Sequence, residues 1–474
     1  MKPIQFFLSV IVLLLGVQVQ SQTEPMTLME CVLMAEEKNI SVKQSELSLE
    51  DAELNKKDAQ GNFYPSVNAQ ANHTWNIGLN QDITRGLLEN KTTQYTSFGA
   101  NLNLDIFKGL RNLNQLYRAN LAILASEYQL EDMKDDVRLM VVNAYLQILF
   151  NIEILEVQRT QLEITKKDAE RTQSMIDAGT KVKYDLFEIQ ATMATQEQVL
   201  IQAENNLRLS KINLAQMLLI TDYENFEVVT IDIEALFGQI LFQKPKDIFE
   251  KALTNRNDIK LSMTNIAIAE KDIDLAKGAL QPSVTAFYGY NTRVSYADRV
   301  TGNGLFNDVP IGFVSSSKET VLRTVEGNKL IGPVPFEEQF DTNAGHNIGL
   351  RLSIPIFNGN AVRNSVERSK LNLLRSQNQL EQEKLTLENT INQAYNNAEG
   401  AYKFYEAAQK TEFARKKAYD DAVNRFEAGV MNTFDFNQIK QRYEAAASDV
   451  VRAKFDYIFK LKILEFYFGI SIKL

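Results

Sequence analysis

From Ser66 to Leu79 the chain alternates almost without a break. Val67, Ala69, Ala71, His73, Trp75, Ile77 and Leu79 share one face, and Ser66, Asn68, Gln70, Asn72, Thr74 and Asn76 share the other. A second run sets Phe98, Ala100, Leu102, Leu104 and Ile106 against Ser97, Gly99, Asn101, Asn103 and Asp105. Two further runs follow the same rule: Val284, Ala286, Tyr288, Tyr290 and Val294 on one, Ile348, Leu350, Leu352, Ile354 and Ile356 on the other. Period-two alternation of this length predicts four strands, each with an apolar and an amide-rich face.

Between the strands the period changes. Val137, Val141, Ala144, Ile148, Leu155, Leu162 and Ala169 recur at alternating spacings of three and four, inside a run from Leu110 to Ile176 that holds no proline or glycine. Ile189, Met193, Leu200, Ala203, Leu207, Leu214 and Met217 continue the rhythm. This is coiled-coil periodicity, interrupted by Asn151, Gln158 and Gln196 at seam positions. Polar seam residues suit helices that face water on one side of a larger tube.

The pattern occurs twice. Gly61-Asn62-Phe63-Tyr64-Pro65-Ser66-Val67 is answered by Gly278-Ala279-Leu280-Gln281-Pro282-Ser283-Val284 at an offset of 217. Gly99–Gly109 is answered by Gly349–Gly359 at 250, and that offset persists through Ala144-Tyr145 with Ala394-Tyr395 and through Ala178-Gly179 with Ala428-Gly429. Internal duplication dictates the architecture. The jump in offset predicts an insertion in the second hairpin, between about Ala297 and Gly345. Its apolar segments, Val309–Phe313 and Val334–Phe336, predict a folded lid or brace over the hairpin's outer mouth.

The expected organisation is a signal peptide over 1–21 and a first repeat over 22–245. The first repeat holds a helix, a β-hairpin over 64–107, a long helix over 110–176, a helix over 182–219 and an equatorial segment over 220–245, with a short strand at Glu227–Ile233. The second repeat, 246–474, holds a helix over 248–280, a hairpin over 282–357, a long helix over 361–426 and a helix over 434–466. Leu28–Gly61 reads as one helix, the counterpart of 248–280.

Composition narrows the function. The signal reading rests on Lys2, the apolar stretch Ile4–Val17 and Val19-Gln20-Ser21, too short for a span. Beyond it no apolar run approaches the length of a membrane helix. The formal charge of −9 argues against nucleic acid. The chain has one cysteine, Cys31, which excludes an internal disulfide, and two histidines, His73 and His346, which are isolated in strands. No catalytic constellation, metal site or cofactor is expected.

Strands longer than ten residues with one wet face fit a membrane barrel, the alternative being a soluble sheet with one face on a core. Trp75, Tyr288, Tyr290 and Tyr296 lie on the apolar faces, where a lipid-facing girdle would sit. Four strands cannot close a barrel, and an open edge in lipid costs several kcal/mol per unpaired group. Two or more chains must therefore contribute.

Ala35 and Asn39, Phe63-Tyr64-Pro65-Ser66, Asn255-Arg256-Asn257-Asp258-Ile259, Ile356-Phe357-Asn358-Gly359 and Arg425-Phe426-Glu427-Ala428-Gly429 followed by Asp435 form an ordered set in a duplicated frame. This set resembles the TolC-like outer-membrane efflux proteins along essentially the whole mature chain. The resemblance implies an α+β membrane protein: a homotrimer with a twelve-stranded barrel, four strands per chain, continuous with a long α-helical barrel. It implies a passive duct in a Gram-negative outer membrane, extending into the periplasm and serving a periplasmic adaptor and an inner-membrane pump. Protein secretion and a non-conducting coiled-coil scaffold are the alternatives. Gly179, Thr180, Phe426, Gly429 and Val430 would then meet the adaptor. Asp185 and Asp435 would ring the aperture, with Gln438 where a second acidic residue is common in the family. Arg425 or Lys440 could instead neutralise Asp435.

Overall fold

The computed structural model describes residues 25–81, 88–230 and 239–469, so the expected signal peptide lies outside it. The chain divides into two units: Met1–Glu53, Leu121–Ile268 and Leu373–Leu474 form one, and Leu54–Asn120 with Ala269–Asn372 the other.

The second unit carries the sheet. Strands β1 (Ser66–Gln81), β2 (Leu88–Lys108) and β3 (Ser283–Ser295) are joined by the edge strand Gly345–Ser353, in antiparallel order, so the two hairpins lie side by side. The register aligns the expected faces. Val67, Leu102, Tyr288 and Ile348 form one cross-strand row and Asn68, Asn101, Gly289 and Asn347 the next. On the apolar face Ile77 is 83% exposed and Ile348 84%. A protein in water would bury that surface.

The strands hand over to the long helices through a tight corner that occurs twice. Gly109 and Leu110 both have positive φ, as do Gly359 and Asn360 at the same places in the second repeat. A Cβ on Gly109 would lie 2.3 Å from the Gly278 carbonyl oxygen, so glycine is required there for space as well as for its dihedral angle.

The insertion is folded. Strands β4 (Arg299–Phe313) and β5 (Thr320–Ile331) make a separate two-stranded ribbon, and a short helix, Phe336–Thr342, precedes the last strand, which is accordingly β6. That helix packs on the apolar face of the sheet. Phe336 and Phe340 meet Phe98, and Gln339 donates to the Ser295 carbonyl while accepting from the Ser295 amide. The brace is thus against the side of the sheet. The strand expected to run to Ile356 stops at Ser353, while β2 begins earlier than the alternation implied, at Leu88.

The first unit is helical. Helices α1 (Leu28–Lys38), α2 (Ile40–Gly61), α3 (Arg111–Asp177) and α4 (Lys183–Met217) belong to the first repeat. Helices α5 (Pro245–Asn255) and α6 (Asn257–Gly278) open the second repeat. With the insertion's helix as α7, α8 (Ala361–Glu427) and α9 (Thr433–Phe468) complete the series. Helix α1 opens with a capping box, Thr27 and Glu30 satisfying each other's amides.

The helices expected over 28–61 and 248–280 are each broken in two. The breaks fall at Asn39 and Arg256, both with ψ of 131° and 217 positions apart. Neither glycine nor proline causes them. Asn39 turns its Oδ1 to the amide of Ser41, and Arg256 grips Asp258 at 2.8 Å and lies 3.6 Å from Asp132 of α3. Arg138 of α3 in turn pairs with Glu36 and Asp135, and Asn257 donates to Asp135. The breaks let both shorter helices lean on this polar strip.

Val141, Val142, Tyr145, Leu146 and Ile148 are buried in the core with Phe455, Ile458 and Leu461 of α9. Helix α3 thus holds a stretch long and apolar enough on composition to cross a membrane, 44% of which is buried inside the protein. The strand expected at Glu227–Ile233 is a single bridge, Val228 to Met26, and residues 231–233 lie outside the described ones. The seam residues Asn151, Gln158 and Gln196 are buried rather than wet: Asn151 donates to the Asn206 carbonyl, Gln158 to Ser448 and Gln196 to Glu444.

Candidate functional site

The two helix–turn–helix reversals contain most of the residues singled out in the sequence. Each closes as a Schellman turn: Thr180 donates to the Met175 carbonyl and Gly179 to Ile176, and Val430 donates to Arg425 and Gly429 to Phe426. Gly179 and Gly429 share a φ of +75°, where an L side chain is strained. The hydroxyl of Thr180 also donates to the Met175 carbonyl.

The turns are tied to each other. Lys181 donates to Thr433 at 3.3 Å and places its ammonium 4.4 Å from the Phe426 ring. Phe426 stacks on Phe436 at 4.5 Å and is fully buried, in a small core with Ala422. A docking role for Phe426 is therefore corrected: burial removes it from any partner's reach, and it supports the turn from beneath. Val430 is 75% exposed, and Gly179, Thr180 and Gly429 are open. Tyr184, Phe187 and Phe434 are also exposed beside them. Those three had a readable signal, an aromatic residue just after each glycine turn where no core period calls for it.

The aspartates differ. Asp435 is exposed and lies in a reciprocal cap: Asn432 accepts from the Asp435 amide at 2.8 Å and donates to its carboxylate at 2.7 Å. Asp185 occupies the same place in the first repeat, half-buried, where Val182 offers no side-chain cap. Neither proposed neutralising partner is engaged with Asp435. Arg425 pairs with Asp421, and Lys440 turns inward.

Lys440 is the centre of a network that no local pattern of residues reveals. It lies 2.6 Å from Asp168 and donates to Thr165, with all three buried. Glu444 stands one helical turn away, 4.0 Å from Lys440, and accepts from Gln196. Burial pushes the Glu444 carboxyl up to about 7, against the pull of Lys440 and the Gln196 hydrogen bond. Here Thr165, Asp168 and Thr172 replace the apolar seam expected at Ala169. A groove of about 460 Å³ runs beside it, lined by Gln161, Thr195, Gln196 and Glu444 among others.

On the sheet, Trp75 is 60% exposed and abuts His73, which bonds Thr96, itself bonded to Tyr296. Tyr288 is exposed and bonds His346. Tyr290 departs from the expected girdle, because Phe340 of α7 and His346 pack against it. Among the described residues no group of His, Cys, Asp or Glu is arranged to hold a metal.

Comparison with known proteins fits this arrangement. The family model described as outer membrane efflux protein matches residues 32–218 and 248–469, a gapped match that follows the two repeats. The probable outer membrane lipoprotein SilC of Salmonella typhimurium is 25% identical over 263 residues. That match spans 52% of this chain and 52% of SilC, about half the length of either. The outer membrane protein TolC of Escherichia coli K12 is 19% identical over 92% of this chain and 80% of its own. Among solved structures, the outer membrane protein VceC of Vibrio cholerae superposes with a TM-score of 0.72 at 14% identity, covering 93% of this chain and 96% of that one. The chain belongs to the outer membrane efflux protein family.

Proposed function

We propose that three copies of this chain pool their sheets into one closed twelve-stranded barrel in the outer membrane. Together they form the passive exit duct of a tripartite efflux system, a conduit that performs no reaction. One observation carries this: a four-stranded sheet with unpaired outer edges at β1 and β6 and an apolar face left open to its surroundings. Lipid accepts that face, but leaves no donor or acceptor for the edges, so closure by further copies follows. The number three comes from the family resemblance.

In this reading the exposed turn residues Thr180, Gly429 and Val430, with Tyr184 and Phe434 beside them, take the tips of a periplasmic adaptor, which links the duct to an inner-membrane pump. Three Asp185 and three Asp435 line the aperture. The test is reconstitution in planar bilayers with the mass measured in detergent: a trimer with unitary conductance is expected. A monomer soluble without detergent overturns the reading. Photocrosslinking from position 430 in cells should capture one adaptor and from 426 none.

A further inference from the structure

We propose that Arg293 and Arg351 give the barrel interior a basic lining that binds small polyvalent anions; the proposal rests on the trimeric barrel of the preceding section. Both arginines lie on the amide-rich face, in register with Ser97 and Thr285, and both are exposed. Each sits on an aromatic ring of the same face. The Arg293 guanidinium lies 3.6 Å from the Tyr95 ring centre and that of Arg351 lies 5.3 Å from Phe287. Phe287 can present its ring because Gly349 has no side chain: a Cβ there would come within 2.8 Å of it. Stacking on a ring satisfies the guanidinium's flat face and fixes its direction while leaving its N–H edge free for an anion.

The other charges on this face do not cancel the pair. Asp105 is held by Lys108 at 2.6 Å and by Thr285 at 3.1 Å. Glu89 and Lys91 are of opposite sign, two positions apart on the same strand. Strand β1, which would face β6 of the next copy, offers that face only uncharged groups from Ser66 to Asn76. Among the described residues no carboxylate lies within ion-pair distance of either arginine. Counted over the described residues, each chain contributes two unneutralised guanidinium groups, and three chains contribute six to one lumen. In a narrow pore with low-dielectric walls such charges reinforce one another and concentrate anions. The lining is opposite in sign to the aspartates of the turns, so the two regions would handle a charged solute differently.

The experiment uses the full chain in planar bilayers, with inorganic tripolyphosphate added on the side away from the helices. The half-blocking concentration should rise at least about tenfold in R293Q/R351Q, stay near wild type in R293K/R351K, and rise with salt. Block unchanged in the glutamine variant overturns the proposal. Should that variant fail to assemble, the single changes Arg293→Gln and Arg351→Gln each carry the same reading with a smaller shift. A wild type that conducts but is not blocked overturns this inference alone, whereas one that forms no channel overturns the trimeric barrel with it.

Discussion

Tyr145 and Tyr395 stand 250 positions apart, and each donates its hydroxyl to a carbonyl of the segment joining the repeats, Val229 at 2.7 Å and Leu241 at 3.0 Å. The duplication thus grips its own connector symmetrically. Tyr145 is fully buried and also reaches the Met26 carbonyl, whereas Tyr395 is half-buried. Tyr145→Phe should cost about 1–3 kcal/mol and Tyr395→Phe less, because the Tyr145 hydroxyl serves two carbonyls from a fully buried ring and that of Tyr395 one from a half-buried ring. Denaturant unfolding of the two variants reads the order directly.

The Lys440–Asp168 pair makes a sharper prediction. Lys440→Met alone strands a buried carboxylate and should cost about 3–5 kcal/mol, as should Asp168→Leu. The double variant should recover much of that loss. A double variant as unstable as the sum of the two would show no coupling between the charges and would overturn the prediction.

Glu444 gives the helical unit a pH dependence of stated sign. Its folded pKa, about 7, lies above the unfolded value near 4.5, so the folded state binds the extra proton between them. Stability is fully present below about 4.5 and falls as pH rises through 7, by roughly 3 kcal/mol. Glu444→Gln should raise the melting temperature at pH 8, leave it little changed at pH 5, and flatten the slope between.

The two corner glycines should respond differently. Gly109 and Gly359 have nearly equal φ, +60° and +62°, yet Gly109 abuts Gly278 while nothing lies within 4 Å of a Cβ on Gly359. Gly359→Ala should cost about 1–2 kcal/mol from the dihedral alone. Gly109→Ala should prevent folded protein from accumulating in membranes, measured as heat-modifiable material on gels.

Asp435 can be separated into its cap and its charge. Asp435→Asn keeps the reciprocal bond with Asn432 and removes the carboxylate, so in the proposed duct it should shift the reversal potential away from cation selectivity with little loss of stability. Asn432→Ala should do the reverse, costing about 1 kcal/mol with the charge intact. Reversal potentials and melting curves of the two proteins distinguish the effects.

What the sequence revealed was whatever repeats within a few positions or at a fixed offset. The face shared by Ala71 and Phe98 was readable because strand alternation is local, and Gly429 because a helical reversal needs positive φ. The break at Arg256 was not, since Asp132 of a distant helix helps to hold it; at Asn39 the signal is local, an asparagine whose Oδ1 accepts from the Ser41 amide. Phe426 reads as exposed until Phe436 folds back on it. Lys440 reads as a solvated charge because its partner is 272 residues away. Pairing between helices decides Arg256, Phe426 and Lys440, and periodicity is blind to it.

The β4–β5 ribbon has a bearing on biogenesis. Its strands expose Leu305, Phe306, Ile311, Phe313 and Leu322, and both of its long edges carry free backbone groups. A lone pair of strands is marginal in water, and such edges recruit other chains. Newly made polypeptide crossing an aqueous compartment would carry this adhesive strip uncovered, alongside the open apolar face of the four-stranded sheet.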